Sequence, residues 1–566
     1  MESEQLDLSI SALETAKDTW LALDIEDQIT MLGDLRTKTA ANARRWVEAA
    51  ASAKGLAMDS PLVGEEWLAG PYGMIEAINA LESTMQRIAS GADVLDGFTV
   101  STKNDGQVVV EVLPTSASDR MLFSGSTAKV WMEPDVTVDS LPDTVATFYS
   151  DPPDHGLVCL ILGAGNVASI PPLDAIYKLY NERQVVIVKM NPVNEYLGEV
   201  FEAIFEDFVA AGFLRFVYGG GDVGAYLTSH SGIDTIHITG SGQTYNIIRY
   251  GTGEDGEANR AADSPTNPRP ISAELGGVSP TIVVPGNWSR ADIAFQAEHV
   301  VTQKMNNSGF NCIAAQVLIL PESWDLTDVF IDEIRSQLRD LPERDAYYPG
   351  SQERCEAVIL GSGTAEVFGS GGQRILVTGI DPTVTDDPAF TTEYFAPVLV
   401  VVTLPSPSVD EYCKAATIFA NDVLEGSLGA NVIVHPKSEK THAGVGTMIA
   451  NLRYGGIGVN TWSAMVYLLA RCPWGAFPGN APSEIGSGIG VVHNALMLSR
   501  AQKSVARGPF APSHRTLGKG ELHLAPKPVF FVSNSQMHKV GEYLVDYAAS
   551  GRTTDMLKVV GAALRG

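Results

Sequence analysis

The chain has 566 residues, 45% of them hydrophobic and 19% charged. That balance excludes a disordered chain, and 54 Gly with 31 Pro are too few for a fibrous or low-complexity one. A net charge of −28 sets an acidic surface against phosphate backbones and anionic lipid, so neither nucleic acid nor membrane is an expected partner.

Five Cys without a CxxC pair fit neither a disulfide scaffold nor a zinc site, and no metal is expected. The start, MESEQLDLSI, lacks the basic and apolar regions of a signal peptide. Apolar runs such as Gly156–Ala164 and Val185–Val188 are far shorter than the ~20 residues a membrane helix needs. A cytoplasmic protein is expected.

In chain order, Leu13–Trp20, Gln28–Ala50 and Trp67–Ala89 carry apolar residues at helical spacing, with few breakers before Gly91. Gly106–Pro114 and Ser126–Pro134 then read as strands. From 156 onward strand and helix alternate. Strands are predicted at Leu157–Leu162, Val185–Lys189, Arg215–Tyr218 and Thr235–Ile238. Helices are predicted at Pro172–Tyr180, Tyr196–Ala211, Gly221–His230 and Gln243–Tyr250. Such alternation implies right-handed crossovers and a doubly wound parallel sheet. The polar, Pro-containing stretch 253–270 reads as an exposed loop. A second α/β stretch runs from Ile271 to about Val434, followed by the Gly-rich segments YGGIGVN, WGAFPG and GSGIG. The tail 513–566 holds a strand-like run, Pro526–Ser533, and helices between Met537 and Leu564.

Two strand-to-helix turns are rich in backbone amides. Gly163-Ala-Gly165-Asn-Val-Ala168 fits G-x-G-x-x-A, in which glycine lets the backbone approach a pyrophosphate at a helix N-terminus. The acid expected at the end of the next strand is replaced by Lys189. Thr239-Gly240-Ser241-Gly242 is a second turn of the kind. Two turns with a lysine between them suit a nucleotide lying along one sheet edge.

Four further segments follow in order: Ile238-Thr-Gly-Ser241, Ala273-Glu274-Leu-Gly-Gly-Val-Ser-Pro280, Asn307-Ser-Gly-Phe-Asn-Cys312-Ile-Ala, and Glu393-Tyr-Phe395-Ala-Pro-Val398. With Asn166, Lys189 and Trp474-Gly-Ala-Phe-Pro-Gly479, they resemble the NAD(P)-dependent aldehyde dehydrogenase superfamily over about 156–512. The resemblance implies an α/β fold with two doubly wound domains and a strand-rich oligomerisation extension. The expected division is 1–150 for N-terminal helices and strand extension, 151–275 for nucleotide binding, and 276–480 for catalysis. Residues 481–566 would hold the C-terminal return, an oligomerisation segment and an extra tail. A homodimer or homotetramer is implied.

The resemblance also assigns roles. Cys312 would be the nucleophile, because a thiolate must add to an aldehyde before hydride can leave from a tetrahedral carbon. Cys159, inside GLVCLIL, suits an inert core position. Asn166 would stabilise the oxyanion together with the Cys312 amide. Glu274 would be the general base for thioester hydrolysis. Lys189 and Glu393 would bind the ribose hydroxyls of NAD or NADP, Gly240 and Ser241 the pyrophosphate, and Phe395 would pack near the nicotinamide. Pro192 stands where relatives that prefer NAD often carry an acid, which leaves both cofactors open. Phe310 replaces the Gln common before the cysteine. The alternatives are a CoA-acylating dehydrogenase or acyl-CoA reductase, and a non-catalytic nucleotide-binding or scaffold relative.

Overall fold

The computed structural model describes residues 2–370, 374–516, 521 and 526–566. Part of the predicted tail, 517–520 and 522–525, lies outside them. No helix among the described residues is long and apolar enough to cross a membrane.

Two sheets organise the chain. The six-stranded sheet runs, edge to edge, Gly488–Ile489, Ile271–Leu275, Thr235–Gly240, Val158–Leu162, Val185–Lys189, Leu214–Val217. All its pairs are parallel except Gly488–Ile489 against Ile271–Leu275. Val185–Lys189 is buried along its whole length, as the unbroken apolar run requires when helices cover both faces. Winding reverses between Val158–Leu162 and Thr235–Gly240, and at such a switch point the loops at the strands' carboxyl ends part to leave a crevice.

The eleven-stranded sheet has a parallel centre: Gly456–Val459, Gly429–Ile433, Ser279–Val283, Ala315–Pro321 and Val398–Leu404. The predicted strand extension is its edge. Ala501–Arg507 pairs parallel with Gly456–Val459 and antiparallel with Thr127–Met132, and Val108–Leu113 and Thr99–Thr102 complete the edge. The extension is thus continuous with the larger sheet.

Three expectations are corrected. Residues 253–270 are not all loop: Gly253–Ala261 is helical, with Glu254 and Asp255 favourably placed in its first turn. Gly256 lets that helix lie against Gly251, whose carbonyl oxygen would stand 2.4 Å from any Cβ there. Pro526–Ser533 forms turns rather than a strand. Its apolar residues serve a cavity wall, and the prolines at 526 and 528 cannot donate to a ladder. The helix predicted over Tyr196–Ala211 breaks at Phe205 into Gly198–Ile204 and Glu206–Ala211.

The chain ends build a core of their own. Helices Ile25–Ala53 and Gly73–Ala89 supply the N-terminal side and Met537–Ser550 and Thr553–Ala563 the C-terminal side, while helix Ser3–Leu21 packs on the six-stranded sheet. Val47, Val63, Trp67 and Ile75 pack with Met537, Val540, Leu544 and Val559. Contact is close enough to need glycine on both sides. A Cβ on Gly64 would stand 2.4 Å from the Met537 backbone, and one on Gly541 would stand 2.6 Å from the Trp67 Cβ.

Candidate active site

Cys312 follows a turn that joins helix Arg290–Met305 to strand Ala315–Pro321. Asn307, Ser308 and Gly309 all adopt positive φ, at 51°, 55° and 82°. Such strain costs about 1–3 kcal/mol per non-Gly residue and persists only where surroundings over-determine it. Here the surroundings are buried charges from the N-terminal helices. Lys54, the C-cap of Ile25–Ala53, pairs with Glu66 at 2.8 Å, and Arg344 pairs with Glu65 at 2.9 Å. Lys54 and Tyr347 each donate to the Asn307 side-chain oxygen at 3.0 Å. The Asn307 backbone amide donates to Glu65 at 3.0 Å.

Asn166 is tied to the same loop. Its side-chain amide donates to the Phe310 carbonyl at 2.9 Å. Its own carbonyl accepts from Asn307 and Tyr347, each at 3.0 Å. An amide nitrogen carries two hydrogens, and the Phe310 bond uses one. Phe310, in place of a polar residue, is fully buried among Tyr347, Tyr348 and Phe395.

Glu274 reaches Cys312 across the fold: its Oε1 lies 4.0 Å from Sγ. The same oxygen accepts from the Trp474 indole, and its Oε2 is buried without a hydrogen-bond partner. Burial, and next the nearby charge of Asp174, push the Glu274 carboxyl up to about 8. The return strand braces it, since Gly488 stands opposite Glu274 in the ladder. Burial, with Glu274 and Glu393, holds the Cys312 thiol well above its ordinary value. Cys312 is only partly buried, while Cys159, Cys355, Cys413 and Cys472 are buried. It opens on a pocket of about 80 Å³ walled by Leu68, Ile170, Ile313, Trp462, Met465 and Phe530.

Glu393 folds inward over Gly276, where a Cβ would come within 2.1 Å of its Oε1. Burial drives it up to about 8 against the opposing pull of Lys304 and Arg354. Phe395, at φ 42°, stacks edge-on against Tyr348 at 4.9 Å. Phe395 thus packs on Phe310 of the cysteine loop, and Glu393 lies near enough to Cys312 to act on its thiol through space.

A separate cleft of about 620 Å³ opens at the switch point, lined by Gly163, Lys189, Gly220, Thr239, Gly240 and Thr244. Burial lowers the Lys189 ammonium, while Glu195 and Asp222 act on it through space. The Ser241 hydroxyl caps helix Gly242–Tyr250, accepting from the Thr244 amide at 3.2 Å. Arg269, also at the cleft, is spent on the carbonyls of Thr228, His230 and Ile233. The cleft suits a dinucleotide. It has the volume of a cofactor site, sits at the crevice where such ligands bind, and offers glycine backbone with a lysine charge.

The residues expected to act together divide accordingly. Cys312, Glu274 and Asn166 converge on one loop, Lys189 and Gly240 line the cleft, Ser241 caps a helix beside it, Glu393 folds over Gly276, and Phe395 packs on Phe310 and Tyr348. Sequence reading did not identify Lys54, Glu65, Glu66, Tyr347 or Asp174. For the four charged residues the signal is a charge within or at the end of an otherwise apolar helical pattern, and for Tyr347 in its loop there is none; neither names a partner far along the chain.

A model of the aldehyde dehydrogenase family matches residues 183–475. An aldehyde dehydrogenase of Tanacetum cinerariifolium is 25% identical over 276 residues, 45% of this chain and 50% of that protein. A coniferyl aldehyde dehydrogenase of a Pseudomonas strain is 27% identical over 297 residues, 48% of this chain and 56% of that protein. The chain spans about half the length of these curated relatives. A solved aldehyde dehydrogenase from Brucella melitensis superposes with a TM-score of 0.60 at 16% identity, covering 89% of each chain, which shows a common fold. The chain, with a glycine-lined crevice at one sheet and a half-buried thiol held close to a buried carboxyl between the two, belongs to the aldehyde dehydrogenase family.

Proposed function

We propose that the protein oxidises an aldehyde to a carboxylic acid through a covalent cysteine intermediate, with a nicotinamide dinucleotide as hydride acceptor. The observation that carries this reading is the 4.0 Å approach of the Cys312 sulfur to a buried Glu274 oxygen at the floor of a pocket. Glu274 takes the thiol proton as Cys312 adds to the carbonyl carbon. A carboxyl near 8 is well matched to a thiol whose own affinity for the proton is high. The oxyanion so formed meets the Cys312 amide and the second N–H of Asn166, donors each worth ~3 kcal/mol of barrier. Lys189 and the amides near Gly240 would hold a nicotinamide dinucleotide, whose chemistry there would be to accept the hydride lost from the tetrahedral carbon as the thioester forms. Once Glu274 has given the thiol proton up to solvent, it deprotonates a water that attacks the thioester, and it returns that proton to the departing Cys312 sulfur. A water-activating carboxyl at this place favours hydrolysis over transfer to CoA. Glu195 and Asp222 beside Lys189 disfavour an added 2′-phosphate, so NAD+ is the expected cofactor.

Aldehydes incubated with NAD+ or NADP+ should yield the near-ultraviolet absorbance of reduced nicotinamide. Cys312→Ala should lower turnover by about 10⁴-fold or more, the scale of losing a nucleophile. An electrophile such as iodoacetamide should label Cys312 well ahead of the four buried thiols. Equal labelling and no turnover with either cofactor would return the protein to the non-catalytic reading.

A further inference from the structure

We propose that the substrate is a long, unbranched aliphatic aldehyde, whose tail runs past the Cys312 pocket into a second cavity roofed by the C-terminal helices. The proposal rests on the aldehyde-oxidising reading above and specifies its substrate class.

The pocket at the sulfur, about 80 Å³, accommodates little beyond a carbonyl and a few carbons. Next to it lies a cavity of about 280 Å³. Leu68, Met465, Leu468 and Phe530 line both, so the two share a wall made only of apolar side chains. Met465 in that wall is unbranched and has three rotatable bonds, so it is the side chain whose change of rotamer would join the two cavities. Beyond the wall the cavity continues between Tyr72 and Phe123 on one side and Val540, Leu544 and Val559 on the other.

The charged groups along this route are already engaged. Asp119 accepts from the Thr115 amide and hydroxyl at 2.8 and 2.9 Å, and Arg471 donates to the same hydroxyl at 3.1 Å. Lys527 pairs with Glu298 at 2.8 Å. His299 sits between Gln296 and Gln303, and burial holds it down near 3, so it is neutral. Burial raises Glu76 and so favours its uncharged form. Among the described residues, with Arg471 4.0 Å from Asp119 and Lys527 paired to Glu298, a tail ending in carboxylate, phosphate or ammonium would find no unpaired counter-charge and would lose its hydration. A methylene chain loses nothing by entering, and each buried CH₂ gains ~0.8 kcal/mol. A narrow passage to a wider chamber also favours an unbranched chain over a compact branched one.

The roof comes from the end of the chain. Phe530, Val540, Leu544 and Val559 all follow the last sheet strand, Ala501–Arg507, in the segment read from sequence as an extra tail. The two chain ends together therefore enclose space beside a reactive sulfur.

The test is a series of n-alkanals from propanal to tetradecanal, with dicarboxylic semialdehydes of matched length. For the wild-type protein, kcat/KM should rise by about fourfold per added methylene, the equivalent of ~0.8 kcal/mol, until the cavity is filled. Each semialdehyde should be at least tenfold poorer than the alkanal of equal length. Leu544→Trp, or Val559→Trp should the first fail to fold, should shorten the optimum chain and lower the long-to-short selectivity. As a turnover-independent measure, alkyl methanethiosulfonates should modify Cys312 faster as the alkyl group lengthens. A flat series, or a preference for semialdehydes, would overturn the chain-length proposal while leaving aldehyde oxidation intact. Absence of turnover at every length, with chain-independent labelling of Cys312, would overturn both.

Discussion

The nucleotide cleft and the thiol pocket are built in opposite ways. The cleft is made from one continuous stretch, 158–269, whose glycines and strand-end lysine act mostly through backbone and position. The thiol pocket draws Leu68, Ile170, Cys312, Met465, Trp474 and Phe530 from segments scattered over most of the chain. The cleft is an outcome of local winding, whereas the pocket depends on tertiary closure. Damage at a distance should therefore reach the pocket and spare the cleft.

Four substitutions sharpen that contrast, in falling order of effect. Glu274→Gln keeps the Trp474 contact but removes the base, and steady-state turnover should fall about 10²- to 10⁴-fold with cofactor binding unchanged. Lys54→Met leaves Glu66 as a buried unpaired charge. Unfolding in urea should show a loss of about 3–5 kcal/mol, and turnover should fall although residue 54 touches no substrate. Lys189→Ala should raise KM for the dinucleotide about tenfold or more while alkylation of Cys312 proceeds at its usual rate. Asp174→Asn is the mildest. Glu274 loses its base form as pH drops below about 8, so kcat/KM should rise with pH through that region. Removing the Asp174 charge lowers the Glu274 carboxyl and should move this limb to lower pH, with the limiting rate kept. An unmoved limb would separate Asp174 from the base.

The same contrast explains what was legible in the amino-acid sequence. Strands such as Val158–Leu162 and Val185–Lys189 announce themselves because burial on two faces leaves no polar residue to confuse the pattern. Glu274 and Cys312 are visible because each sits in a short glycine-containing motif whose backbone geometry is demanding. Lys54, Tyr347 and Asp174 are invisible because their chemistry exists only after distant segments meet. The Gly253–Ala261 helix was hidden by its two glycines and its polarity, which mimic a loop, and its placement depends on one close backbone contact at Gly251. The apolar run before Met537 was mistaken for a strand because hydrophobicity marks burial and not conformation.

The core shared by helices Ile25–Ala53 and Gly73–Ala89 with Met537–Ser550 and Thr553–Ala563 also orders events in time. Translation delivers about 5–20 residues per second, and the parallel strands of the nucleotide sheet are all synthesised by Leu275. The partners of Val47, Trp67 and Ile75 lie beyond residue 536, so that apolar face waits until nearly the whole polypeptide has been released. A nascent chain can thus hold a formed nucleotide crevice long before its sulfur is enclosed, and the reactive centre is among the last parts to mature.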